Sequence, residues 1–247
     1  MSLTLPKFDT LVVSCEHASN KLPVNYQHLL GCPEQILRSH CASDIGAEPI
    51  ARYISKHFSA PYYYGKYSRL LIDLNRSLHH PDLFSRYSSV LTKHQKQDLI
   101  DKFYVPYRSR VEACIKNLVL EKATVLHLSF HSFTPVLRGE KRNCDIGLLY
   151  DPKRPLEKSI ATSMRHSLSQ RLPGYVIRRN FPYRGTADGF TVYLRKQFTE
   201  ACYAGIEVEI NQRRVQNTGR IQHALETSIR EATDRPFPNQ RGTGANQ

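Results

Sequence analysis

The chain alternates short apolar runs of strand length with longer segments whose apolar residues recur at helical spacing. Residues 10–14 form one short run around Leu11-Val12-Val13, and it ends abruptly on the polar packet Ser14-Cys15-Glu16-His17-Ala18-Ser19-Asn20. After Ser43-Asp44-Ile45, the residues Ile45, Ile50, Ile54 and Phe58 predict a helix, with Ser43 as its cap and Pro49 as a local distortion. Tyr62-Tyr63-Tyr64 and Arg69-Leu70-Leu71-Ile72-Asp73-Leu74, separated by Gly65-Lys66-Tyr67-Ser68, predict two paired strands. Residues 92–121 predict a long helix interrupted near Pro106. Strands are predicted over 124–130 and 145–150, then a helix over 155–172 that Pro173-Gly174 stops. A strand over 175–178, a loop through Asp188-Gly189, a short helix over 191–198, a strand over 204–210 and a helix over 218–232 complete the pattern. It predicts one α/β domain over residues 1–236, a mixed, mostly parallel sheet flanked by helices on both faces, followed by a polar tail at 237–247.

Composition narrows the class. With 247 residues, 40% of them hydrophobic, the chain can bury one substantial core. No apolar stretch approaches the roughly 18 residues that a membrane helix needs. The first residues carry no sustained apolar run of a secretory signal, and Cys15, Cys32, Cys41, Cys114, Cys144 and Cys202 form no CxxC pair. A cytoplasmic protein with reduced thiols and no membrane association is therefore expected. The formal net charge of +13 favours anionic partners. Because the basic residues are spread along the chain rather than gathered in a tract, a small anionic substrate accounts for the charge as well as nucleic acid does. Oligomeric state is left open.

In a sheet of this kind functional groups collect where strands run out at their carboxyl ends. His17 and His131 each follow an apolar strand, and two imidazoles plus a carboxylate are a common catalytic zinc set that leaves a position for water. Asp44 is the candidate carboxylate, with an equal claim as a helix-start acid complementing the amide dipoles. Glu16 alternates away from His17 along the strand and, with Ser19, is expected to support the turn. His127, Ser129 and His131 share one strand face, so they are not a helical HxxxH motif, and His127 is expected to be structural. Cys15 is expected to be a buried strand residue rather than a nucleophile.

Asp73-Leu74-Asn75-Arg76 sets an acid, an amide and a guanidinium together. Either Asp73 and Arg76 fix a loop as an ion pair, or Asp73 orients an arginine whose planar fork reads a carboxylate. The loop over 178–191 is long and polar, and Arg184 beside Gly185 is a second candidate anion contact. Glu207 and Glu209 face the same way on an apolar strand, which is costly unless they are paired, bonded or used as proton acceptors.

The chain resembles the N-formylglutamate amidohydrolase family over residues 11–212. The resemblance is carried by the Ser14–Asn20 packet, Asp44-Ile45-Gly46-Ala47, Asp73-Leu74-Asn75-Arg76, His131-Ser132-Phe133-Thr134, Asn180-Phe181-Pro182-Tyr183-Arg184-Gly185 and Glu207-Val208-Glu209-Ile210-Asn211-Gln212. It implies a fold similar to that of the zinc carboxypeptidases, and a Zn2+-dependent hydrolase that cuts the amide bond of a small acidic N-acyl amino acid, N-formyl-L-glutamate in the type reaction. It implies His17, Asp44 and His131 as metal ligands, Glu209 as the base with Glu207 in reserve, and Arg76 and Arg184 shared between oxyanion and substrate carboxylates. Asn75, Tyr183 and Thr191 are the implied substrate contacts. Carboxypeptidase-like sites carry a glutamate three residues after the first histidine, where this chain has Asn20, so either Asp44 supplies the carboxylate or the metal is bound weakly or not at all. Two other readings stand beside this one: a catalytically degenerate small-anion binder, and a basic polyanion-binding module.

Overall fold

Strand alternation sorts the chain's chemistry onto one face of a six-stranded sheet. The computed structural model describes residues 8–233, and the tail expected at 237–247 lies outside them. In chain order the elements are β1 (Thr10–Cys15), α1 (Val24–Leu30), α2 (Glu34–Leu37), α3 (Ala47–His57), β2 (Tyr62–Tyr64), α4 (Lys93–Leu99), α5 (Val105–Leu120) and β3 (Val125–Phe133). They continue with β4 (Val136–Leu137), β5 (Glu140–Lys141), β6 (Ile146–Leu149), α6 (Pro155–Arg171), β7 (Ile177–Arg179), α7 (Phe190–Gln197), β8 (Tyr203–Asn211) and α8 (Thr218–Thr233).

The sheet runs β2-β1-β3-β8-β6-β7, and β4 and β5 form a separate hairpin. All neighbours are parallel except β6 and β8, so the sheet is mixed and mostly parallel. Leu11, Val13 and Cys15 of β1, Leu126, Leu128 and Phe130 of β3, and Ile206, Val208 and Ile210 of β8 point to one core, covered by α3, α6 and α8. The period of two sends Ser14, His127, Ser129, His131, Glu207 and Glu209 to the opposite face. There Val12, Tyr107, Phe190 and Tyr203 build a second core beneath α5 and α7. Helices thus cover both faces.

Several boundaries differ from the sequence expectation for identifiable reasons. Residues 69–74 form turns, not a strand; their apolar side chains are buried, and their backbone bonds locally, Leu71 N to Ser68 O and Asp73 N to Leu83 O. The long helical stretch changes character before Pro106, at a π-helical turn over Ile100–Tyr104, and Pro106 sits in the first turn of α5, where its missing N–H is harmless. Gly46, not Ser43, precedes α3, and Pro49 lies in that helix's first turn without distorting it. β3 extends to Phe133, so His131 lies within the strand rather than past it. All six cysteines are free, and burial pushes the Cys15 thiol well up, as befits a packing residue.

Candidate active site

The cleft opens at the carboxyl end of β1 and β3. His17 follows β1, and its backbone carbonyl accepts from Asp44 N (2.9 Å), which fixes the turn before α3 against the strand. Asp44 Oδ2 then lies 3.2 Å from His17 Nδ1 and 2.8 Å from His131 Nδ1. The donor atoms of these three buried residues lie within 4.8 Å of one another. Asn20, by contrast, is exposed, and the carboxylate that clusters with the two imidazoles is that of Asp44.

The outer nitrogen of each imidazole meets a second carboxylate. His17 Nε2 lies 2.7 Å from Asp73 Oδ1, and His131 Nε2 lies 3.2 Å from Glu16 Oε2 and 3.0 Å from Ser129 Oγ. Ser129 and Tyr107 donate to the two oxygens of Glu16, at 2.6 and 2.9 Å. Glu16 is therefore more than a turn support: it follows β1 in the turn and its carboxylate lies behind His131. Arg69 closes the cluster by donating to Asp44 (3.3 Å) and Asp73 (2.9 Å). Asp73 thus pairs with Arg69 and His17, and the Asp73–Arg76 ion pair, one of the readings the sequence left open, is not formed among the described residues.

These contacts set the proton affinities. Burial opposes charge on every member, but the pairing outweighs it. Burial and Arg69 push His17 down, yet Asp73 and Asp44 raise it above its ordinary value. Burial likewise opposes charge on His131, yet the bonds to Asp44 and Glu16 raise it well above. Asp44, Asp73 and Glu16 are all held below the usual carboxylate range by their cationic partners despite burial. Glu209 goes the other way. Burial, opposed by His131 and His17 and reinforced by the negative charges of Asp44 and Glu207, pushes its carboxyl up to about 7. Its Oε2 is buried with no hydrogen-bond partner among the described residues.

A space of about 100 Å³ joins His17, Asp44, His131 and Glu209 to Asn75 and Arg76. Tyr183, Arg184, Asp188 and Glu207 also line it. Arg108, buried against the rings of Tyr104, Phe190 and Tyr193, donates to Leu74 O (3.1 Å) and so pins the backbone that carries Asn75 and Arg76. Asn75 Oδ1 accepts from Phe190 N (2.7 Å), and Arg76 donates to Asp188 O (3.1 Å). Tyr183 and Arg184 stand on the loop after β7. Asn180 Oδ1 accepts from Tyr150 N and Gly185 N, both at 3.0 Å, so the loop is tied at both ends.

Thr191 is placed otherwise than expected. It is fully buried outside the cleft, and its hydroxyl donates to Glu207 Oε1 at 2.6 Å. That bond occupies Glu207 and leaves Glu209 as the uncommitted carboxylate. Arg69 and Ser129, which the sequence does not single out for a role, join the site, and Asp73 and Glu16 meet the imidazoles in addition to the tasks expected of them. Arg69 and Asp73 meet because residues 69–74 form turns; on the strand expected there they would not. His127 bonds Ser14 Oγ and Tyr203 Oη at 2.8 and 2.9 Å, and burial lowers it to about 4, consistent with a structural role.

A model of the N-formylglutamate amidohydrolase family matches residues 9–215. The chain belongs to the N-formylglutamate amidohydrolase family. Among solved structures, the gene product Atu2144 from Agrobacterium tumefaciens aligns at a TM-score of 0.80 and 29% identity, over 93% of this chain and 92% of that one. An N-formylglutamate amidohydrolase from Ralstonia eutropha JMP134 aligns at a TM-score of 0.71 and 17% identity, over 92% of this chain and 95% of that one, a likeness of fold. A search of curated proteins finds no match. Family membership makes the chain an amidohydrolase by class, and the cleft is lined from all six of the sequence stretches that carry the family resemblance. Among the described residues no helix is long and apolar enough to cross a membrane.

Proposed function

We propose that the protein is a metal-dependent hydrolase that cleaves the amide bond of a small anionic N-acyl amino acid of the N-formyl-L-glutamate type, giving formate and the free amino acid. The observation that carries this reading is the unpartnered, proton-hungry Glu209 beside three converging metal donors.

The donor set fits a divalent cation such as Zn2+. Asp44, Asp73 and Glu16 bring three buried negative charges, and Arg69 returns one positive charge. With neutral imidazoles two negative charges remain, which a divalent ion balances. The outer hydrogen bonds to Asp73 and Glu16 orient both rings with Nδ1 inward, the outer-sphere arrangement that metal-ligating histidines use. A zinc ion held there supplies Lewis-acid activation of water near neutral pH.

The chain's own groups do the rest. Glu209, with an affinity matched to neutral pH, takes a proton from the attacking water and passes it to the leaving nitrogen as the C–N bond breaks. Arg76 and Arg184 form no ion pair among the described residues, in contrast to the doubly paired Arg69, so they are the cations left for substrate carboxylate and developing oxyanion. Asn75 and Tyr183 flank them.

Metal analysis together with formate release from N-formylglutamate tests the proposal. About one zinc per chain is expected, lost in His17→Ala and His131→Ala along with formate release. Full activity in metal-free protein would overturn it.

A further inference from the structure

The segment from Lys66 to Arg76 serves two separate spaces. Arg69, Asn75 and Arg76 line the catalytic cleft, whereas Lys66, Leu71 and Leu74 line a second cavity of about 400 Å³, and no lining residue is common to both. Phe103 and Pro106 complete its apolar wall. The π-helical turn over Ile100–Tyr104 carries Phe103, whose ring meets Tyr67 edge-on at 5.2 Å. Such turns widen a helix locally and recur at functional sites.

The charge around this cavity is one-sided. Lys66, Lys102 and Arg110 border it, and no aspartate or glutamate does. Lys102 is paired with Asp98 on its own helical stretch. Lys66 and Arg110 have no carboxylate partner among the described residues, and the Arg110 Nε–H reaches only the Pro106 carbonyl (3.2 Å). An apolar, aromatic-walled cavity of ligand size with two uncommitted cations on its border matches a molecule with a hydrocarbon body and one anionic end. A purely apolar occupant would leave both cations unused, and a bare anion would leave Tyr67, Phe103 and Pro106 wet.

We propose that this cavity is a second ligand site, distinct from the catalytic cleft, for a small amphipathic carboxylate. Its chain lies against Tyr67, Phe103 and Pro106, and its carboxylate meets Lys66 and Arg110.

Calorimetric titration of the full-length, zinc-loaded protein with octanoate tests this, with acetate and octanol as the charge-only and chain-only controls. Octanoate should saturate one site per chain and bind at least about tenfold more tightly than either control. The double variant Lys66→Ala/Arg110→Ala should lose at least about tenfold in octanoate affinity while keeping its melting temperature and formate release, since neither side chain lines the cleft. Phe103→Ala, which shortens the apolar wall without touching charge, should weaken octanoate and leave acetate unchanged. The proposal fails if octanoate does not saturate, if acetate or octanol binds equally well, or if the double variant binds as the wild type does. It fails equally if N-formylglutamate displaces octanoate, because the occupant would then sit in the catalytic cleft.

Discussion

Glu209 illustrates how burial turns an ordinary carboxylate into a base. Its raised affinity means that the folded, metal-free protein binds more protons than the unfolded chain between the usual glutamate value and about 7. Stability must therefore fall as pH rises through that window, and Glu209→Gln removes the cost. The metal-free variant should be more stable than wild type at pH 8 by on the order of 3 kcal/mol, and equal to it near pH 4, as urea melts would show. The same substitution should lower formate release by at least about 100-fold. In the wild type kcat/KM should rise with pH and level off, at a midpoint below about 7 once a nearby cation favours the ionised form. A rising limb that persists in Glu209→Gln would assign the base to another group. At this scale the sequence was legible where chemistry is intrinsic to the residue type: two imidazoles and a pair of glutamates in an apolar strand attract notice wherever they fall. It was illegible where a role is conferred by neighbours. Arg69 differs from the other arginines only in meeting Asp44 and Asp73, and Thr191 only in meeting Glu207.

Elements position these residues through close backbone approaches. The loop carrying Tyr183 and Arg184 lies so near the sheet that a Cβ on Gly185 would stand 2.1 Å from Tyr150 N, and one on Gly147 would stand 2.0 Å from Phe181 O. Gly185→Ala must push the loop off the sheet. We expect KM to rise by about tenfold, with a loss of roughly 1–3 kcal/mol of stability. Gly219→Ala, in the first turn of α8 with nothing within 4 Å, serves as the neutral control. Equal kinetics in the two variants would mean that the loop does not hold substrate groups. Apolar runs revealed the central strands because both of their faces are buried, and such runs need no partner to be recognised. Residues 69–74 carry the same apolar density in turns, since burial of side chains does not dictate which backbone groups pair. The π-helical turn likewise precedes Pro106 rather than falling at it.

Across the whole molecule, a metal held at the proposed site would couple to fold stability. Without a cation, His17 and His131 hold protons above their ordinary values because Asp73, Asp44 and Glu16 outweigh the effect of burial. Zinc uptake near pH 7 should therefore release protons, which titration calorimetry in buffers of different ionisation enthalpy measures. Zinc at about 100 times its dissociation constant should add about 2.7 kcal/mol of stability, and this gain should vanish in His17→Ala. Glu16→Gln, which leaves all three donors in place, should weaken zinc by about 10–100-fold. The net charge of +13 adds long-range attraction for an acidic substrate, so kcat/KM should fall as salt rises.

The sequence by itself determined the α/β class, the central strands and the residue types of the site, because strand and helix periods and the intrinsic chemistry of histidine and glutamate are local properties. Only the tertiary structure decided which carboxylate joins the histidines. Asp44 reaches them because the turn before α3 is bonded back to His17, 27 residues away in sequence. The same holds for the division of labour between the two glutamates. They are equivalent along β8, and a bond from Thr191 on another element leaves one of them free. Burial and pairing depend on contacts between distant segments, and no local pattern contains them.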